Sequence, residues 1–417
     1  MTLPEQKYLT PLFFLFLTGA LFLTCKKHDV DGMAGNEIHP DFTKTAVASV
    51  TGFVTNENGM PLTGATVNYG ISSTTTDKYG YFEIKNATVT ENAGVVNVKM
   101  AGYFKGIKTF IAEAGKNNFC RVKLIPKTNT GSVDASSGGS VALSNGLSVT
   151  IPANGVIDAA TKTAYSGTIT VSSFWIDPTA NDVDEIMPGD LRGLNENGSL
   201  KSLTSFGMAA VELTGNSGQL LQIADGKKVT LNFPLPNTVA ADAPASIPLW
   251  YFDETKGLWI EEGTAIKSGN TYVGDVKHFT YWNCDLPNPS VPLSFIITDN
   301  LLNRFANAHV EITPLTTNSW SHAGGYTDET GYVNVSVTAN TQYKLEIFSN
   351  GCSSAIPFSK KTFSVESKAV DLGIITVGET SADLATITGT ATDCNNNPLS
   401  NGRIIAGNGS FFTIILL

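Results

Sequence analysis

The sequence predicts an all-β protein made of tandem β-sandwich modules with a larger sandwich at the centre. Three observations carry this expectation. Only 15% of the 417 residues are charged while 39 are glycine, a balance that favours short strands and tight turns over helices. Hydrophobic residues make up 42%, enough to bury several cores, and the length calls for about three domains. The phrase VTGFVTNENGMPLTGATV, residues 50–67, returns in thinner form as ITGTATDCNNNPLSNGRI at 387–404, so one strand-turn-strand unit is used more than once. The net charge of -10, with no basic cluster to displace counterions from a polyanion, argues against nucleic acid as a partner.

The first element is an export signal. Residues 1–24 carry Lys7 and then an apolar run from Leu12 to Leu23, too short to span about 20 residues of hydrocarbon core comfortably. Cys25 follows at the place where bacterial lipoproteins carry their acylated cysteine, and Phe22-Leu23-Thr24 before it resembles a lipobox, with Thr24 and Phe22 departing from the usual residues. An ordinary cleaved signal and an uncleaved anchor are the alternatives. Acylation of Cys25 implies a lipid anchor, because two acyl chains suffice for stable membrane attachment. Residues 25–47 are poor in large apolar side chains and read as a flexible tether in which His28 and His39 stand alone.

Residues 48–127 form the first module. SVTGFV alternates as a strand, NENGMP is turn chemistry, and LTGATV restarts a strand. Asp77 and Gly80 in TTTDKYGYFEI set a tight turn before the next strand. The run Gly52, Val54, Gly59, Pro61, Leu62, Gly64, Ala65, Val67, Thr76, Asp77, Gly80 and Phe82 resembles the carboxypeptidase regulatory-like domain, a small transthyretin-like or Ig-like sandwich. That resemblance implies an accessory fold without an active site. A second copy is expected over 291–378, where ITDNLLNRFANAHVEI aligns with VTNENGMPLTGATVNY and YTDETGYVNV with TTDKYGYFEI, placing Asp328 and Gly331 over Asp77 and Gly80. Leu302 and Arg304 replace the turn Gly59 and Pro61 there, so a different turn type is expected. Residues 379–417 read as a truncated third repeat, the alternative being a terminus in which Phe411, Phe412 and Ile414 dock on the preceding unit.

Residues 128–290 form the central sandwich. GGSVALSNGLSVTIPANGVI is similar to the opening of the module found in ankyrins and netrin receptors, and PLWYFDETKGLWIEEGTA to modules of cartilage intermediate layer protein. Three sets of residues there are candidates for chemistry. Asp177, Asp182, Asp184, Glu185 and Asp190 gather hard oxygen donors that could hold calcium, although their spacing matches no EF-hand loop and a solvated acidic loop is the preferred reading. Trp250, Tyr251 and Trp259 could stack sugar rings, the competing reading being a sandwich core. His278 and Cys284 could form a nucleophilic dyad only if a third group oriented them, and packing at a strand end accounts for both. The metallocarboxypeptidases that carry regulatory domains need a His-x-x-Glu zinc pair, which is absent here.

Of the five cysteines, Cys120, Cys284, Cys352 and Cys394 are spread over different units; Cys352 with Cys394 is the pair to test for a disulfide, with free buried thiols the alternative. No catalytic residue, metal or other cofactor is expected. The sequence therefore reads as a noncatalytic lipoprotein of a Bacteroidetes-type outer membrane, its leaflet and face undetermined, that displays binding or adhesion modules for a glycan or protein. The competing reading is a structural spacer or accessory subunit of an outer-membrane complex, and a metal-dependent enzyme is a third.

Overall fold

The computed structural model describes residues 37–316, 320–348, 357, 359–377, 389–393, 395–398, 403–407 and 412–416. The signal segment, Cys25, Cys352, Cys394 and Phe411 lie outside these residues, as do the side chains of Phe412 and Ile414. The described chain is β-structure throughout, with one short helix.

Module one contains β1 (Thr45–Thr55), β2 (Thr66–Tyr69), β3 (Ser72–Thr75), β4 (Tyr81–Thr90), β5 (Gly94–Lys99), β6 (Gly106–Phe110) and β7 (Asn117–Lys123). They form two sheets, β4-β1-β7 and β3-β2-β5-β6, with β7 parallel to β1. Inward positions alternate along the strands, so Val50, Val54, Val67, Tyr69, Phe82, Val96, Val98 and Val122 close one core between the sheets.

The central module follows with β8 (Asn129–Asp134), β9 (Gly139–Ala142), β10 (Ser148–Ile151), β11 (Val156–Asp158), β12 (Thr168–Ile176), α1 (Val183–Ile186), β13 (Arg192–Leu194), β14 (Leu200–Thr214), β15 (Leu220–Ile223), β16 (Val229–Pro234), β17 (Ser246–Asp253), β18 (Leu258–Ser268), β19 (Thr271–Val276) and β20 (Tyr281–Thr298). Hydrogen bonding passes from β8 through β12, β14, β20, β17, β18, β19, β16 and β10 to β9. The ends of this curled sheet meet at the bridge Asp134–Gly138, around a core that includes Val149, Phe206, Leu231, Phe233, Leu249 and Trp282.

Module three reuses the end of β20 and adds β21 (His309–Pro314), β22 (Ala323–Tyr326), β23 (Tyr332–Thr338), β24 (Thr341–Phe348), β25 (Ser359–Val365) and β26 (Val370–Thr376). Its sheets run β23-β20-β26, with β26 parallel to β20, and β22-β21-β24-β25. This is the topology of module one, strand for strand. The boundary expected between residues 290 and 291 falls inside β20, where pairing passes from Lys201–Pro289 with β14 to Ser290–Thr338 with β23. Beyond it, β27 (Arg403–Gly407) and β28 (Phe412–Leu416) form a two-stranded sheet.

The turns of the two modules correspond as well. Asp77 Oδ1 accepts the N–H groups of Tyr79 and Tyr81 at 2.9 and 3.0 Å, and Asp328 Oδ1 accepts those of Thr330 and Tyr332 at 2.7 and 2.8 Å. Gly80 and Gly331 both lie at positive φ, 73° and 74°. A Cβ on either would sit 2.3 to 2.4 Å from a carbonyl of the adjoining strand, so no other residue fits without a shift. Thr76 Oγ1 accepts the Ala65 N–H and donates to the Leu62 carbonyl, and Thr327 does the same for Ala308 and Phe305.

The expectation of a different turn at Leu302 is corrected by the structure. Leu302 adopts φ of 63° where Gly59 has 74°, and both turns close the same bonds, Asn56 N–H to Met60 and Asp299 N–H to Asn303. The reason is the acceptor at the first position: Asp299 Oδ1 takes the N–H groups of Leu301 and Asn303, each at 2.8 Å, and holds the loop against the strain at Leu302. Asp393 makes the same contacts with Asn395 and Asn397, with Asn396 at φ of 62°. Part of the expected tether is also docked, since Glu37 accepts from Ser199 Oγ at 2.8 Å and Phe42 packs beside Leu194 and Leu258.

Two outcomes follow for stability. Thr76→Val and Thr327→Val, each stranding a buried N–H and a carbonyl, should cost about 1–3 kcal/mol in denaturant titrations. Leu302→Asn, which relieves the left-handed strain at an exposed position, should raise stability by about 1 kcal/mol.

Candidate functional site

The three modules meet around α1, and the chemistry of the chain is concentrated there. β6 and β7 of module one, the acidic loop 177–190 of the central module, and β21 and β22 of module three line a cavity of about 160 Å³. Its wall includes Lys108, Cys120, Asp184, Arg192, His322 and Tyr326.

Asp184 is the hub. Its Oδ2 lies 3.1 Å from His322 Nε2 and 3.7 Å from His309 Nε2, while its backbone carbonyl accepts from Lys108 Nζ, which also donates to the Met187 carbonyl at 2.8 Å. Burial opposes ionisation of Asp184, but the two imidazoles outweigh it and hold the carboxyl well below the usual carboxylate range. The Asp184 carboxylate in turn raises His322 to about 9, against the opposing effect of burial. Burial pushes Lys108 down to about 8, with Asp184 opposing the shift. Burial also pushes the Cys120 thiol up to about 12, leaving it a protonated packing group.

The other carboxylates of the loop separate instead of converging. Asp182 pairs with Lys123 of module one at 2.6 Å, Asp190 with Arg192 at 2.7 Å, and Asp177 caps Thr179. Arg192 continues to the Asn92 carbonyl of module one at 2.8 Å. Glu185 lies half-buried on α1. The calcium reading is therefore corrected: Asp177, Asp182, Asp184 and Asp190 each meet a different protein group, and among the described residues no three His, Cys, Asp or Glu side chains are grouped to hold a metal ion.

The aromatic platform is corrected too, and for a related reason. Trp250 and Trp259 are fully buried, packed with Ile107 of module one and with Met187, Met208 and Phe252 under α1. Their indole N–H groups donate to the Asp285 and Asp190 carbonyls, each at 3.0 Å. Tyr251 is half-buried and packs edge-on against His278, with ring centroids 4.7 Å apart. His278 pairs with Glu262 at 3.7 Å, and Cys284 is wholly buried with its thiol pushed up by burial, so the two do not form a dyad. Cys120 and Cys284 are free thiols.

Modules one and three also touch directly. Phe119 meets Tyr326 edge-on at 5.2 Å, Lys116 pairs with Asp328 at 3.2 Å and lies over the Tyr332 ring, and Asn334 donates to Glu113 at 3.0 Å. On the central side, Trp320 donates its indole N–H to the Ser205 carbonyl at 2.8 Å. His309, His322 and Lys108 were not singled out from the sequence. No local spacing marks them, because their partner Asp184 is 138 residues from His322 along the chain.

No family model matches the chain, and no curated protein matches it. Among solved structures it is similar to the Bacillus anthracis TIE protein, at 15% identity and a TM-score of 0.17 over 80% of this chain and 50% of that one. The chain thus spans about half the length of that relative. It is also similar to BcpA, the major pilin subunit of Bacillus cereus, at 9% identity and a TM-score of 0.18 over 81% of this chain and 100% of that one. The full-length major pilin SpaD from Corynebacterium diphtheriae shows 9% identity and a TM-score of 0.18 over 82% and 99%. The all-β sandwich assignment stands on the strands and cores described above.

The site should titrate. His322 holds its proton more tightly folded than its ordinary value of 6.5, so its stabilising contribution is complete below about pH 6.5 and is lost as pH rises toward 9. Lys108, depressed to about 8 from 10.5, acts in the opposite sense only above about pH 8. Unfolding free energy should therefore fall between pH 6.5 and 8, and His322→Gln should flatten that decline. Asp184→Asn, which leaves the His322 imidazolium without its counter-charge, should cost about 3–5 kcal/mol in denaturant titrations.

Proposed function

We propose that the chain is a noncatalytic cell-envelope protein, anchored by an acylated Cys25 in a bacterial outer membrane, whose docked modules serve as a structural spacer or accessory element. The observation that carries this reading is the use to which the reactive and aromatic residues are put. Asp184, His309, His322, Lys108, Trp250 and Trp259 are committed to holding three modules against one another. A spacer needs fixed relative placement of its parts, and a shared strand with partly buried charge pairs supplies it. The matched topology and turn chemistry of modules one and three support a chain built from repeated modules, as a spacer requires. Display of a glycan- or protein-binding surface is the second reading, and Tyr251 is the one member of the aromatic set placed to serve it.

Fractionation and a glycan array test these points separately. Cys25→Ala should move the protein from membrane to soluble fractions, and an unchanged membrane fraction would sink the lipid anchor. The full chain in detergent should give no hits on the array, whereas saturable binding of a defined glycan would replace the spacer with the binder.

A further inference from the structure

Modules one and three each present the same two flanks, and within one chain only one of the two possible pairings is used. The outer strand of module three, β22, lies against β7 of module one through Tyr326–Phe119, and Asp328 pairs with Lys116 just beyond the two strands. The equivalent outer strand of module one is β3, matched by register, since Thr66–Thr75 and Tyr69–Ser72 correspond to His309–Tyr326 and Ile312–Ala323. The equivalent of β7 in module three is β26. It runs parallel to β20 with Ile374 opposite Ile296, as Arg121 of β7 lies opposite Phe53.

Among the described residues both of these leftover flanks are open. β3 ends its sheet, and Ser73 and Thr75 are exposed along it. Ile71 immediately before it is 99% exposed, at the place where His322 precedes β22 and reaches the Asp184 hub. β26 likewise ends its sheet, with Ile374 55% exposed. Folded proteins guard free edges with charge, proline or bulges, as Lys360 and Lys361 do on the outer strand β25. The sequence of β3, SSTT, has none of these.

We propose that the β3 edge carrying Ile71 on one copy of this chain docks against the β26 flank carrying Ile374 on a second copy, head to tail. The occupant is a second copy because module three already shows, within the chain, that this edge seats on the β7-type flank of a module of the same kind. The pairing is heterologous, so each added copy exposes a new edge at one end and a new flank at the other. The β3 edge brings no charge and the two isoleucines supply apolar surface, while Asp371 is the one charged residue on β26. This assembly goes beyond the spacer reading and does not depend on the lipid anchor.

Cysteine cross-linking of the full chain in its membrane tests it. With a short bismaleimide, Ile71→Cys/Ile374→Cys should yield a ladder of multimers, either single variant should yield no cross-link beyond the wild-type background, and co-expressed single variants should stop at a dimer. A dimer from Ile71→Cys alone would mean that two β3 edges meet, and would overturn the head-to-tail arrangement. A double variant no different from wild type would overturn it as well. Independently, sedimentation of the wild-type chain in detergent should show its protein mass rising from monomer to at least dimer with concentration, and Ile71→Glu should hold it at monomer. A wild type that remains monomeric throughout would also overturn the proposal.

Discussion

Strand β20 is the constraint on which the arrangement of modules depends. It runs from Tyr281 to Thr298, and its first half pairs with β14 and β17 of the central module while its second half pairs with β23 and β26 of module three. Two domains that share a strand cannot swing about a linker, because rotation would break the ladder on one side or the other. Three prolines, Pro287, Pro289 and Pro292, are tolerated because each lies where β20 has only one neighbour. A missing N–H at such a position costs no bond on the open side.

Once β20 sets module three against the central sandwich, the acidic loop becomes the place where all three modules must be satisfied together. α1 carries Asp184 between a lysine of module one and two histidines of module three. Partly buried charges are tolerated only when paired and hydrogen-bonded. The arrangement is therefore selective: a module displaced from its seat would leave a carboxylate or an ammonium without its partner. Trp250 and Trp259 add the apolar part, filling the space under α1 against Ile107. The same dependence accounts for the glycine at 257, where a Cβ would meet Val95 of module one at 2.4 Å.

Much of the fold was legible in the sequence, and the parts that were legible are local. Asp77 with Gly80, and Asp328 with Gly331, announce their turns because the acceptor and its donors lie within four residues. Leu302 misled, since side-chain size argues against a left-handed residue while Asp299 three positions earlier supplies the bonds that impose it. The proline-rich stretch 286–292 reads as a boundary in sequence and is a strand in the fold, because one-sided pairing removes the usual objection to proline. Of the candidate site, Asp184 was visible as a carboxylate in an acidic loop, but its partners were not.

The sequence by itself determined that this is an all-β chain with repeated modules, because alternation with period two and Asx or glycine turns act over a few neighbouring residues. It also determined which residue types were available for charge pairing and for aromatic packing. Only the tertiary structure decided that Asp184 meets His322 instead of a cation from solvent, and that Trp250 and Trp259 face inward between modules. Those outcomes turn on contacts between segments more than a hundred residues apart, whose energies exist only after β20 has brought the modules together.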